Sequence, residues 1–135
     1  MVGILLMTHA PLGQAFLAAC AHVFRSPTEQ LEAIDVIADQ DLGEVQALAA
    51  AAIKRLDTGS GVLVMTDVKG GTPANCCNCL ADAGRVEIIA GISLPMLLRA
   101  ITYRREALDV VVEMALAGAQ SGAVRVDNRI RVGAA

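Results

Sequence analysis

Apolar residues in this chain fall into short unbroken runs and longer stretches at helical spacing, and the two kinds alternate. The first run, Val2-Gly3-Ile4-Leu5-Leu6-Met7, reads as a buried strand that ends at Thr8-His9. Pro11 follows at the first position of a helix, where its fixed φ is helical and its missing N–H costs nothing. Leu12, Ala15, Phe16, Ala19, Cys20 and Val23 continue at helical spacing until Ser26-Pro27 closes the segment. Leu31 to Ile37 reads as a second strand. Asp41-Leu42-Gly43-Glu44 has the form of a capping box, with Asp41 as N-cap and Glu44 reaching back. The helix behind it runs through Val45, Leu48, Ala49, Ala52, Ile53 and Leu56. After the break at Asp57-Thr58-Gly59-Ser60-Gly61, Val62 to Met65 forms a third strand ending near Thr66-Asp67.

Gly70-Gly71-Thr72-Pro73 turns the chain into a helix, with Thr72 expected as N-cap and Pro73 at the first helical position. A fourth strand spans Val86 to Ala90 and is closed by Gly91. One helix starts at Leu94-Pro95-Met96, and another covers roughly residues 106–119. The tail, Gly122 to Val132, alternates imperfectly between apolar and charged residues and reads as a last, edge strand. Pairing of that strand within its own sheet and pairing with a neighbouring subunit are both open. The alternation predicts an α/β fold, a parallel sheet with right-handed crossovers and helices on both faces. At 135 residues the whole chain, 1–135, fits one domain.

Composition refines this picture. Hydrophobic residues make up 55% but aromatics only 2%, so the core must be built from small aliphatic side chains. Part of the apolar excess suits a subunit interface, which favours an oligomer over a lone monomer. A net charge of −3 argues against a nucleic-acid partner. No apolar run approaches the roughly 18 residues that cross a bilayer, and no basic stretch precedes the first strand as in a signal peptide. The cytoplasm is the expected compartment, without membrane insertion. Of the four cysteines, Cys76, Cys77 and Cys79 crowd together, and no second cluster of Cys or His pairs with them to hold zinc. They read, with Cys20, as small buried helix residues.

His9 and Asp67 carry the candidate chemistry, because each closes a strand. Ligands of open α/β sheets gather at the carboxyl ends of strands. With strand order 2-1-3-4 the first and third strands are neighbours. Asp67 would then accept from one imidazole N–H and leave the other nitrogen nucleophilic, although on spacing alone it reads equally as a turn residue before Lys69-Gly70-Gly71. Gly70, Gly71 and Thr72 offer amides and a hydroxyl at a helix start, Thr8 a second hydroxyl, and Lys69 a positive charge. The chain has no G-x-x-x-x-G-K-[ST], no G-x-G-x-x-G after its first strand and no G-x-S-x-G, so nucleotide binding and serine hydrolysis lack support. His22 reads as a helix-surface or satisfied packing residue, and Asp35, Asp39 and Asp41 as a strand exit and an N-cap rather than a metal cluster. No metal or cofactor is implied.

Several segments together resemble the IIA component of the mannose-type (mannose/fructose/sorbose) sugar phosphotransferase system. They are Ile4 to His9, Val62 to Asp67, Gly70-Gly71-Thr72-Pro73-Ala74-Asn75, and Gly91-Ile92-Ser93-Leu94-Pro95-Met96-Leu97-Leu98. The resemblance implies a parallel sheet of order 2-1-3-4 and a cytoplasmic homodimer that exchanges an antiparallel C-terminal strand. It implies His9 as a transient phosphorylation site, filled from the carrier protein HPr and emptied into a separate IIB component. Asp67 would orient the imidazole, and Thr72 with neighbouring amides would contact the phosphoryl group. Ser93, Arg99, Lys69 and the Cys-rich helix start depart from the family's usual pattern. Two other roles suit the same fold: a regulatory module whose phosphorylation state signals carbon or nitrogen supply, and the phosphoryl donor subunit of a dihydroxyacetone kinase.

Overall fold

The computed structural model describes residues 1–127. Its elements run β1 (Gly3–His9), α1 (Leu12–Phe24), β2 (Leu31–Val36), α2 (Leu42–Leu56), β3 (Val62–Thr66), α3 (Thr72–Cys77), β4 (Val86–Ile89), α4 (Leu94–Tyr103) and α5 (Leu108–Gly122). A short 3-10 turn, Asn78–Leu80, extends α3. The four strands form one parallel sheet in the order β2-β1-β3-β4.

Strand side chains alternate between the two faces of the sheet. Ile4 and Leu6 of β1 join Leu63 and Met65 of β3 on the face covered by α1, α4 and α5, where Cys20, Met96, Leu97, Val111 and Ala115 are buried. Leu5 and Met7 join Val62 and Val64 on the other face, under Val45, Ala49, Ala52 and Leu56 of α2 and Cys76 and Cys77 of α3. Burial on both faces explains why β1 and β3 read as unbroken apolar runs.

Helix starts differ in detail from the sequence reading. The Asp41 carboxylate accepts from the Glu44 N–H at 3.0 Å, as a capping residue should. Pro11 is the N-cap of α1 rather than its first residue, and it brings no side-chain hydrogen bond. Gly71, not Thr72, is the N-cap of α3, because the Gly71 carbonyl already accepts from the Asn75 N–H at 2.9 Å. Ser93 caps α4 through its hydroxyl, which accepts from Met96 N–H at 3.3 Å, so Ser serves this position as Asn would.

Boundaries also move: β4 stops at Ile89, one residue short of Ala90, and α5 starts at Leu108. Ile37 leaves the second strand, since its N–H turns to the Gln40 side chain at 3.2 Å. At the other end, α5 runs on to Gly122, where a side chain would lie 2.5 Å from Pro95 of α4. Of the last strand expected over Gly122 to Val132, residues 123–127 carry no strand, and the rest lies outside the described residues. No helix among the described residues is long and apolar enough to cross a membrane.

Candidate functional site

The parallel register sets Met7 of β1 beside Thr66 of β3, so the chain just beyond each strand comes together. There the Asp67 carboxylate reaches His9 twice. One oxygen accepts from the His9 backbone N–H at 2.9 Å and lies 2.8 Å from the ring Nδ1. Its second oxygen accepts from the Val68 N–H at 2.9 Å. Burial pushes the Asp67 carboxyl up, but the bonds from His9 backbone and ring, the His9 charge and the Val68 N–H together hold it below the ordinary carboxylate value. An ionised carboxylate only accepts, so the proton of this contact sits on Nδ1. The Nε2 lone pair is then left outward. The His9 side chain is 52% exposed and that of Asp67 only 8%, which fits a fixed holder beneath a reachable ring.

Gly71 packs against the imidazole, where an added methyl group would lie 3.3 Å from the ring Cε1. Its own N–H donates to the Val68 carbonyl at 3.1 Å. Thr72 is exposed at the start of α3, and Asn75 donates its side-chain amide to the Gly70 carbonyl at 3.3 Å, tying the loop to the helix. Lys69 lines a cleft between α3 and β4 with Gly70, Asn75 and Glu87, and makes no ion pair among the described residues. His22 is exposed on α1. A cleft of about 750 Å³ around Asp57, Gly61 and Arg85 lies at the amino ends of the strands, remote from His9.

Thr8 is fully buried, and its hydroxyl donates to Asp35 at 3.3 Å. Asp35, which the sequence places only as a strand exit, has a larger role. It pairs across the sheet with Thr8, and its carboxylate accepts from the Gly13 N–H at 2.8 Å and the Gln14 N–H at 3.4 Å. It therefore caps α1 from a different strand and pins the helix to the end of β1. The available clue was indirect: neither Ala10 nor Pro11 carries a capping oxygen, so the first amides of α1 needed an acceptor from elsewhere.

Gly13 makes that approach possible, because a methyl group there would lie 2.5 Å from the Asp35 carboxylate and 2.9 Å from Ala33 Cβ. Gly13→Ala should destabilise the fold by about 1–3 kcal/mol through this overpacking. Thermal unfolding checks it, and a melting temperature equal to that of the unsubstituted chain would contradict it.

Fold and site together define an open, doubly wound α/β domain with a carboxylate-held imidazole at the carboxyl ends of its strands. Residues 3–116 match the family model EIIA-man, described as PTS system fructose IIA component, and the chain belongs to this family. The mannose-specific EIIAB component of the phosphotransferase system of Escherichia coli K12 is 27% identical over 124 residues. That match covers 90% of this chain but 38% of the relative, so the chain spans well under half the length of the curated relative. The phosphotransferase component EIIA from Streptococcus agalactiae superposes with a TM-score of 0.82 at 23% identity, covering 93% of this chain and 97% of that one. The mannose/sorbose specific IIA subunit from Enterococcus faecalis gives 0.79 at 26% identity, over 93% and 95% of the two chains.

Proposed function

We propose that this chain is a phosphohistidine carrier of a phosphoenolpyruvate-dependent sugar phosphotransferase system. His9 takes the phosphoryl group from the phosphohistidine of an HPr-like protein and passes it to a separate IIB component. The observation that carries this reading is the Asp67 carboxylate on Nδ1, which leaves Nε2 as the outward nucleophile. As the Nε2–P bond forms and the donor's N–P bond breaks, the His9 ring gains positive charge. A buried carboxylate 2.8 Å away favours that charge without trapping the phosphoryl group itself.

The Gly70 and Thr72 amides and the Thr72 hydroxyl would receive the phosphoryl oxygens, while Gly71 keeps the space beside the ring free of a side chain. Thr8 acts from below, through Asp35. Positioning and charge stabilisation suffice for such a transfer, and no metal or cofactor enters it. In this reading residues 1–135 form one domain, working as a cytoplasmic homodimer.

Incubation of the chain with phosphorylated HPr should place one acid-labile phosphate on His9 and none on His22. Peptide mapping by mass spectrometry reads the site. A chain that stays unlabelled, or that carries its label on His22, would overturn the proposal.

A further inference from the structure

The cysteine segment is not explained by packing alone. Cys76 and Cys77 are buried as expected of small core residues, at 2% and 0% exposure, but Cys79 is exposed. Cys77 is fully committed. Its thiol donates to the Pro73 carbonyl at 2.9 Å and lies 3.5 Å from the Met7 sulfur, and burial, with Cys76 and Cys79 nearby, pushes it up to about 12.

Cys76 and Cys79 stand differently. They are three positions apart, Cys76 in α3 and Cys79 in the 3-10 turn that follows, and so lie on adjacent turns of one helical segment. The Cys79 sulfur folds back to within 3.8 Å of the Cys76 carbonyl oxygen. Burial raises the Cys76 thiol, and the charge of Cys79 raises it further, as expected of neighbouring sulfurs. Side chains three apart on a helix start with Cβ atoms about 5–6 Å apart, against about 3.5–4.5 Å in a disulfide, so closure has to draw Cys76 and Cys79 together.

We propose that Cys76 and Cys79 are an oxidisable dithiol that closes an intramolecular disulfide when a hydroperoxide reaches Cys79, and that the closed form takes phosphate on His9 more slowly. The Cys79 thiolate attacks one peroxide oxygen, the O–O bond breaks, and the leaving alkoxide or hydroxide takes up a proton. Cys79 is then a sulfenic acid. The Cys76 sulfur attacks the Cys79 sulfur, the S–O bond breaks, and the departing hydroxide leaves as water with the Cys76 proton. Two thiols are oxidised and one hydroperoxide is reduced to an alcohol, or to water from hydrogen peroxide, with one further water.

Coupling to His9 follows from the length of the segment. α3 is six residues long, and the glycine preceding it packs on the imidazole ring. Drawing Cys76 out of the core toward Cys79 therefore displaces a helix whose other end borders the site. The coupling to His9 rests on the phosphohistidine reading, whereas disulfide closure does not.

The test treats the full chain with hydrogen peroxide, alkylates it under denaturing conditions and weighs it. The expected product lacks two hydrogens and resists alkylation at two cysteines. Fragmentation of the peptide 70–85 should place the bridge between Cys76 and Cys79. Cys79→Ser, an exposed and conservative change, should abolish bridging, and Cys77→Ser should not. Phosphorylation of His9 by phosphorylated HPr should slow by about tenfold to a hundredfold in the oxidised chain, recover with a dithiol reductant, and be unaffected by peroxide in the Cys79→Ser variant. Absence of the bridge, or a bridge that includes Cys77, would overturn the dithiol. A bridged chain phosphorylated at the reduced rate would overturn the coupling, and a reduced chain never labelled would count against the carrier reading alone.

Discussion

A His9→Gln variant should take up no phosphate from phosphorylated HPr, and Asp67→Asn should take it up about 10²–10⁴-fold more slowly than the unsubstituted chain. The size of the second effect follows from what the carboxylate does. Amidating the aspartate that orients a catalytic histidine in serine proteases costs about 10⁴ by selecting the wrong ring tautomer. Here both Asp67 oxygens are engaged, one by two His9 groups and the other by the Val68 N–H. An asparagine offers one acceptor and one donor, so either amide orientation sets N–H against N–H. With the donor toward His9, the ring must turn Nδ1 into an acceptor and carry its proton on Nε2, the nitrogen that should attack.

The same substitution has a signature on acidification. The Asp67 carboxyl is held below its ordinary value in the fold, so its stabilising contribution is complete above the unfolded value of about 3.9 and is lost as the pH falls through the lower, folded value. The melting temperature of Asp67→Asn should therefore fall less steeply than that of the unsubstituted chain below about pH 4. Stopped-flow or quenched labelling gives the rate, and thermal unfolding against pH gives the linkage. A labelling rate within about threefold of the unsubstituted chain would remove Asp67 from the mechanism.

The largest effect on stability should come from Arg104→Ala, expected to cost about 3–5 kcal/mol, at about 1–3 kcal/mol for each buried carbonyl that loses its donor. Arg104 follows α4 and is only 5% exposed. Its guanidinium donates from Nε and Nη2 to the Val2 carbonyl at 3.1 and 2.9 Å, from Nη1 to Glu29 at 2.5 Å and from Nη2 to Gln30 at 2.6 Å. It thus gathers the incoming chains of β1 and β2 at the end of the sheet opposite His9. Burial lowers its pKa; the charge of Glu29 works the other way, while Arg105 adds to the lowering. Removing the side chain takes a donor from three carbonyls, and among the described residues Gln30 keeps another, the Ile4 N–H at 3.1 Å.

With domain stabilities of about 5–15 kcal/mol, such a loss brings the fold near its limit, a melting temperature lower by roughly 10–20 °C. Arg104→Lys should recover only part of it, because an ammonium is a point donor without the planar fork. Circular dichroism on heating decides the matter. A fall of less than about 3 °C for Arg104→Ala would show that the carbonyls find other donors.

β1 and β3 were legible because they are buried on both faces and so leave an unbroken apolar run ended by a polar residue. That punctuation also exposed His9 and Asp67, each at such an ending. The roles that escaped notice are played on backbone groups far away in sequence. Arg104 reaches Val2, 102 positions away, and Asp35 reaches Gly13, 22 positions away. No local spacing records a bond from a side chain to a distant carbonyl or amide. Thr72 misled for the opposite reason: its local pattern is that of a good N-cap, yet the first helical bond of α3 already ends on Gly71. Cys79 shares a segment with two packed thiols but not their burial, which only the 3-10 turn reveals.

One consequence of the His9–Asp67 contact concerns timing. With Nδ1 held against the sheet, the imidazole presents a single nitrogen at the surface. In a carrier built this way the group must arrive and depart through the same opening. Donor and recipient then compete for one footprint and cannot be seated together. Exchange becomes a double displacement in which each visitor must leave before the next arrives, so an excess of either unloaded visitor acts as a brake.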